Sequence, residues 1–187
     1  SDGGTRQRYW ARSMLGWVQM AKAQPNASHY ALAALEKAGA ITTLTTQNVD
    51  GLHQQAGHKT VIDLHGRLDQ VTCLQCDKAL SRTAVQQELE RLNPGFAEQD
   101  AALRPDGDAD VPQPLVSRFS IPSCGNCDGI LMPDVVFFGG TVPRERVERT
   151  EHAIDDADAL LVVGSSLTVF SGFRFARLAH RLDKPLY

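Results

Sequence analysis

All four cysteines fall in two Cys-x-x-Cys pairs, Cys73 with Cys76 and Cys124 with Cys127. Each tight pair can set two sulfurs on one ion, and the two pairs together complete a tetrahedral thiolate shell, the set zinc favours. A shell filled by protein leaves no open coordination position, so the expected ion holds structure rather than activating water. Disulfides are the competing reading, disfavoured by the spacing and by the lack of a secretory feature in the given sequence. Thiolates on a metal favour a reducing compartment, the cytoplasm or alternatively the mitochondrial matrix. The chemistry must then come from polar residues elsewhere. Gln47-Asn48-Val49-Asp50-Gly51 follows one β-branched run and His65-Gly66 follows another. Alternation lets the Asn48 amide and the Asp50 carboxylate face one pocket, although Asn-x-Asp-Gly is equally good turn chemistry. His65 has a side chain suited to general-base work near neutral pH, though a lone histidine is more often a surface or core residue.

The elements that must position these groups are legible in the apolar spacing. Trp10, Met14, Trp17, Val18 and Ala21 stripe a helix over 9–22. Asn26 predicts the N-cap of a second, with Ala31, Ala34, Leu35 and Ala38 on its apolar face and Gly39 as its stop. Runs 41–46 and 60–64 read as strands, and polar residues just past strand ends are where open α/β sheets hold ligands. A helix over 83–92 precedes an acidic Pro/Gly-rich stretch at about 93–115, expected to be an exposed insertion loop. Beyond Cys127 the pattern predicts a strand at 134–138, a helix at 143–155, a buried strand at 159–163, a helix at 171–182 and a strand beginning near 184. Gly164-Ser165-Ser166 directly follows the 159–163 run, and a glycine with two hydroxyls lets a cofactor approach the backbone. Strand–helix alternation at both ends predicts an α/β fold with a parallel sheet, interrupted by a small metal module.

Composition sets the outer limits. The 187 residues are 42% hydrophobic and 22% charged, close to the globular average and enough for a buried core without crosslinks. Nineteen basic against 22 acidic residues gives a net charge of −3 with no basic tract, which makes nucleic acid a poor partner. The apolar runs are far shorter than a bilayer span, so no membrane association is expected.

Thr46-Gln47-Asn48-Val49-Asp50-Gly51-Leu52-His53 and Leu64-His65-Gly66 resemble the catalytic core of the sirtuins, NAD-dependent protein-lysine deacylases. The two cysteine pairs stand where that family carries its zinc module. Pro133-Asp134-Val135-Val136-Phe137-Phe138-Gly139 resembles its acyl-peptide-binding strand, and Val162-Val163-Gly164-Ser165-Ser166-Leu167 its NAD-contacting turn. The motifs arrive in family order, and Arg8–Arg12 together with Ser171-Gly172-Phe173-Arg174-Phe175 are most similar to the class II, mitochondrial and bacterial branch. Many sirtuins carry Pro-Ala where this sequence has Ser171-Gly172. The family's Gly-Ala-Gly-x-Ser diphosphate loop and its late adenosine-ribose loop have no counterpart here, so the resemblance implies a core cut at both ends.

The resemblance implies a Rossmann-like large domain over 1–66 and 128–187, incomplete at both ends, with a small zinc-binding module at 67–127. It implies that Asn48 and Asp50 hold the nicotinamide carboxamide and that His65 is the general base. Gln47, Asn48, Val49, Asp50, Gly164, Ser165 and Ser166 would contact NAD as co-substrate. Val136, Phe137, Phe138, Gly139 and Val169 would line the site of an acylated-lysine protein or peptide, which adds as an extra strand. Cys73, Cys76, Cys124 and Cys127 would hold one structural zinc. Two other functions are compatible with these residues: a zinc-bearing binding module without NAD turnover, and protein mono-ADP-ribosyl transfer from the same pocket.

Overall fold

The computed structural model describes residues 3–98, 102–103 and 109–187. In chain order the elements are α1 (Gly3–Met20), α2 (Ala27–Lys37), β1 (Leu44–Thr46), α3 (Leu52–Gln55), β2 (Val61–Asp63), β3 (Gly66–Cys73), β4 (Ala79–Ser81) and α4 (Arg82–Leu92). After a 3₁₀ turn at Phe96–Glu98 come β5 (Ala102–Leu103), β6 (Ala109–Asp110), α5 (Gln113–Val116), β7 (Leu131–Val135), α6 (Arg144–Asp156) and α7 (Phe170–Arg181). They form two compact units, one of Ser1–Ala23 with Leu68–Asp134, the other of Gln24–Arg67 with Val135–Tyr187.

The first unit is built around α1. Trp10, Ala11 and Met14 lie on one helical face and are buried against Val71 and Cys73 of β3 and Val85 and Leu89 of α4. The resemblance places α1 in the large domain at 1–66, whereas its apolar stripe finds its core beside the cysteines. β4, β3 and β7 form a three-stranded sheet in that order, with β3 and β4 antiparallel. Ser81 caps α4 by accepting the Ala84 N–H at 3.1 Å. The next side chain, Arg82, is buried, with its guanidinium 5.4 Å from the Trp10 ring centroid and 5.1 Å from that of Trp17. Its Nη2 donates to the Ser13 carbonyl at 3.0 Å. Burial pushes its pKa down to about 10, so the group still carries its charge at neutral pH.

The stretch expected as an exposed loop at 93–115 is partly structural. Phe96 is buried and stacks edge-on against Phe119 at 4.7 Å between ring centroids. Buried Asn93 ties the stretch down by donating to the Leu89 and Ser120 carbonyls and accepting the Ser120 N–H. The acidic residues Asp100, Asp106 and Asp108 lie outside the described residues.

The second unit carries β1 and β2 in parallel register, Leu44 opposite Val61 and Thr46 opposite Asp63. Leu64, Val142, Ile154, Phe175 and Ala179 form its core, which places α6 and α7 against the strand ends. Asn26 caps α2 as expected, its side chain accepting the Ser28 and His29 N–H groups. The face chosen from the sequence is wrong, however: Ala31, Ala34, Leu35 and Ala38 are exposed, while Leu32, Ala33 and Glu36 are half-buried. Glu36 explains the rotation. Its carboxylate turns inward to accept the Lys59 and Thr60 N–H groups at 2.9 and 2.8 Å, satisfying the backbone that leads into β2.

Two strand expectations also shift. Among the described residues, the expected buried strand at 159–163 pairs with 185–187 alone, through a parallel bridge at Leu160, and Leu161 and Val163 remain exposed. The strand expected at 134–138 instead spans 131–135. It ends there because the Gly140 N–H bonds the Phe137 carbonyl at 2.8 Å, closing a turn that Gly139 permits by adopting φ +80°. Among the described residues, no helix is long and apolar enough to cross a membrane.

Candidate functional site

Within the second unit, the polar residues after β1 and β2 meet. The His65 ring is held at both nitrogens: Nδ1 lies 3.0 Å from the Gln47 carbonyl oxygen and Nε2 lies 2.9 Å from the Ser171 hydroxyl. A carbonyl can only accept, so Nδ1 carries the hydrogen and, in the neutral ring, Nε2 presents its lone pair. The ring is half-buried, and the nitrogen suited to accept a proton is defined by its neighbours.

Gln47 turns its side chain the other way. Its Nε2 donates to Ser165 Oγ at 3.1 Å, which brings the end of β1 to the Gly164-Ser165-Ser166 turn. That turn is fixed locally: Ser165 Oγ also accepts the Leu167 N–H at 3.1 Å, and Ser166 bonds Thr168 through their hydroxyls. Gly164 has φ +64°, and nothing lies within 4 Å of where a Cβ would stand. The exposed backbone and two hydroxyls make an open cradle suited to a phosphorylated or ribose-bearing ligand.

Asn48 is exposed, and Val49 and Asp50 are half-buried. Asp50 Oδ1 accepts the Leu52 N–H at 2.9 Å, so its carboxylate also starts α3 after Gly51, which has φ +71°. The turn reading holds for Asp50, and the second oxygen of its carboxylate remains able to accept a further hydrogen bond. On the other side, the Val136 N–H donates to the His65 carbonyl at 2.8 Å, tying the segment after β7 to the same histidine. Phe137 and Phe138 are exposed, Phe138 completely, and Val169 is exposed as well. These apolar groups stand uncovered beside polar backbone, the composition a peptide-binding edge requires.

The cysteines form a separate centre in the first unit. All four sulfurs lie within 4.8 Å of one another, with Cys73 and Cys127 3.5 Å apart and Cys76 and Cys124 3.8 Å apart. Tetrahedral zinc with bonds of about 2.3 Å needs sulfurs roughly 3.8 Å apart, so the cluster fits such an ion. The two pairs build the same backbone knuckle. The Cys73 N–H bonds the Lys78 carbonyl and the Asp77 N–H the Cys73 carbonyl, just as Cys124 bonds Gly129 and Asp128 bonds Cys124. Asp77 and Asp128 take left-handed φ values of 54° and 56° to close the two turns. The thiols share protons: hydrogen bonding to Cys76 pushes Cys127 up to about 12, while the Lys78 backbone holds Cys76 below its usual range. A metal would displace those protons.

A Sir2 family model matches residues 3–171. The chain belongs to the Sir2 family. It is 57% identical over 182 residues to a Xanthomonas campestris protein named NAD-dependent protein deacetylase, covering 97% of this chain and 62% of that relative. A Bordetella bronchiseptica protein of the same name is 55% identical, covering 97% of this chain and 66% of the relative. A solved structure of Sir2Tm bound to a propionylated peptide superposes with a TM-score of 0.69 at 30% identity, covering 90% of this chain and 60% of that one. A Sir2 structure with p53 peptide and NAD+ matches with a TM-score of 0.68 at 30% identity. The parallel β1–β2 pair with its helices is accordingly the Rossmann-like α/β sheet of the Sir2 family. The chain spans a little under two thirds of the length of the Xanthomonas relative.

Of the residues singled out from the Sir2-like motifs, Gln47, His65, Val136 and Ser165 are joined by hydrogen bonds. Three contributors escaped the sequence reading. Ser171 bonds the histidine, yet the sequence marks it only as part of the class II-like stretch 171–175 and as a departure from Pro-Ala. Gln75 Oε1 accepts the Ile130 N–H at 2.6 Å, joining the two cysteine segments. Gly129 leaves room for sulfur, because a Cβ there would stand 2.7 Å from Cys73 Sγ. A glycine beside a Cys-x-x-Cys pair was the available hint.

Proposed function

We propose that this chain is the core of an NAD-dependent protein-lysine deacylase that releases nicotinamide and transfers the acyl group to ADP-ribose. The observation that carries the reading is His65, fixed by the Gln47 carbonyl at Nδ1 so that Nε2 is the accepting nitrogen, beside the Gly164–Ser166 turn and the Val136 backbone. The names of the relatives and the peptides and NAD+ bound in the Sir2 structures support it.

In this reading NAD, when bound, supplies an electrophilic sugar carbon, and the chain does the rest. The Asn48 amide and Asp50 carboxylate hold the carboxamide in place, and Gln47 with Ser165 and Ser166 binds hydroxyls of the nucleotide. Val136 to Gly139 offers backbone to an acylated-lysine peptide, with Phe137, Phe138 and Val169 shielding the acyl chain from water. His65 Nε2 takes a proton from a ribose hydroxyl, making that oxygen the better nucleophile toward the acyl carbon. The four cysteines hold one structural zinc, which supplies crosslinking and no chemistry at the reacting atoms.

The test is nicotinamide release from NAD with an acetyl-lysine peptide, using the protein and its His65→Ala variant. Peptide deacylation dependent on NAD and lost in the variant is expected. Deacylation that needs no NAD and survives the variant sinks the reading. Transfer of ADP-ribose to protein with the lysine still acylated would replace it with mono-ADP-ribosyl transfer.

A further inference from the structure

We propose that Ser171 is a positioning residue for His65, a role that rests on the reading of His65 as the general base. The two neighbours of the imidazole act in opposite senses. The Gln47 carbonyl, 3.0 Å from Nδ1, can only accept and therefore demands a hydrogen there. The Ser171 hydroxyl, 2.9 Å from Nε2, must then donate, because a neutral ring has no second hydrogen to offer. The ring is held at both ends, in one tautomer and one rotamer, and a ring flip would break both bonds.

The hydroxyl comes from a well-anchored place. Ser171 stands in the first turn of α7, whose Phe175 and Ala179 are buried in the core with Leu64, the residue before His65. The same turn clears space for the other partner. Gly172 is buried against the Gln47 side chain, and a Cβ there would stand 2.7 Å from Gln47 Oε1. Adjacent residues of α7 thus serve two jobs: Ser171 holds the base, and Gly172 lets Gln47 lie flat above the helix and reach Ser165.

The consequence is preorganisation. Ser171 occupies the Nε2 lone pair until a substrate hydroxyl displaces it, so the ring meets that hydroxyl already turned and already in the proton-accepting tautomer. The proton then passes from the substrate oxygen to Nε2, and its electron pair stays on that oxygen. Ser171 itself gives up no proton in the step, which separates a positioning group from a relay.

Nitrogen NMR of the histidine rings in the protein, with Ser171→Ala and Ser171→Thr alongside, tests this without any ligand. Neutral His65 is expected wholly in the Nδ1–H form in the parent. In Ser171→Ala its Nε2 resonance moves and the other tautomer becomes measurable, and Ser171→Thr, which keeps the hydroxyl, restores the parent spectrum. In NAD-dependent peptide deacylation, Ser171→Ala should lower kcat by roughly fivefold to tenfold, the worth of one hydrogen bond, with KM for NAD unchanged and kcat recovered in Ser171→Thr. A parent-like spectrum and kcat in Ser171→Ala overturn the proposal, as does an equal loss of kcat in both variants. A parent protein that turns over no NAD overturns the deacylase reading alone, because the tautomer measurement still reports on Ser171.

Discussion

The Gln47 side chain lies so close over Gly172 that a single methyl group at that position would stand 2.7 Å from its Oε1 and 2.8 Å from its Cδ. The obstructing atoms are the far end of a flexible side chain, so Gly172→Ala should fold and simply push the amide aside. That movement breaks the bond from Gln47 to Ser165 and loosens the cradle around Gly164. The expected outcome is a rise of roughly threefold to tenfold in KM for NAD with kcat near parent, the opposite split from Ser171→Ala. Steady-state kinetics at saturating peptide separates the two.

The cysteine centre should hold one zinc per chain, and Cys124→Ser should lose it. Cys124 and Cys73 are buried in the core that also contains Trp10, Met14 and Leu89, so removal of the ion loosens the packing of the whole first unit. Metal analysis and tryptophan fluorescence during chelation should fall together, since Trp10 and Trp17 both belong to that unit. Full zinc content in Cys124→Ser would refute the assignment of this thiolate.

Arg82 should resist even a conservative change. Its planar guanidinium spans Trp10 and Trp17 and bonds both the carbonyl and the hydroxyl of Ser13, a geometry that an ammonium group cannot copy. Arg82→Lys is expected to cost about 1–3 kcal/mol, read as a lowered midpoint in urea with an unchanged slope. A parent-like midpoint would show that the stacking adds nothing to stability.

Acid should weaken the second unit through His53. Burial, followed by the neighbouring His29 and His58, lowers its pKa below 6.5, and the weaker pull of Asp50 and Asp63 does not reverse this. The rings stand 4.6 and 5.4 Å from His53 between centroids. Below pH 6.5 the unfolded chain takes up a proton that the folded chain refuses, so stability falls as pH drops from there toward the folded pKa. Equilibrium unfolding between pH 5 and 7 should show this slope, and His53→Gln should flatten it. An identical slope in the variant would assign the effect to another group.

By itself the sequence determined the chemistry that is local to a few residues. The two Cys-x-x-Cys pairs marked the four sulfurs that cluster, because each pair builds its own knuckle from consecutive backbone. The β-branched runs before Gln47 and His65 fixed a strand before each polar residue, and Asn26 marked the start of α2 through a cap made within one turn. What depends on distant partners was decided only in three dimensions. The inward face of α2 follows Glu36, whose carboxylate is claimed by the Lys59 and Thr60 backbone, an attraction that apolar spacing does not register. The stripe of α1 was legible, but which core it enters depends on shape complementarity with Val71, Val85 and Leu89. His65 was legible as a candidate base by its place after a strand. The choice of Nε2 as its working nitrogen was not, because that rests on a carbonyl from β1's end and a hydroxyl from α7, brought together only by the packing of the helix beneath them.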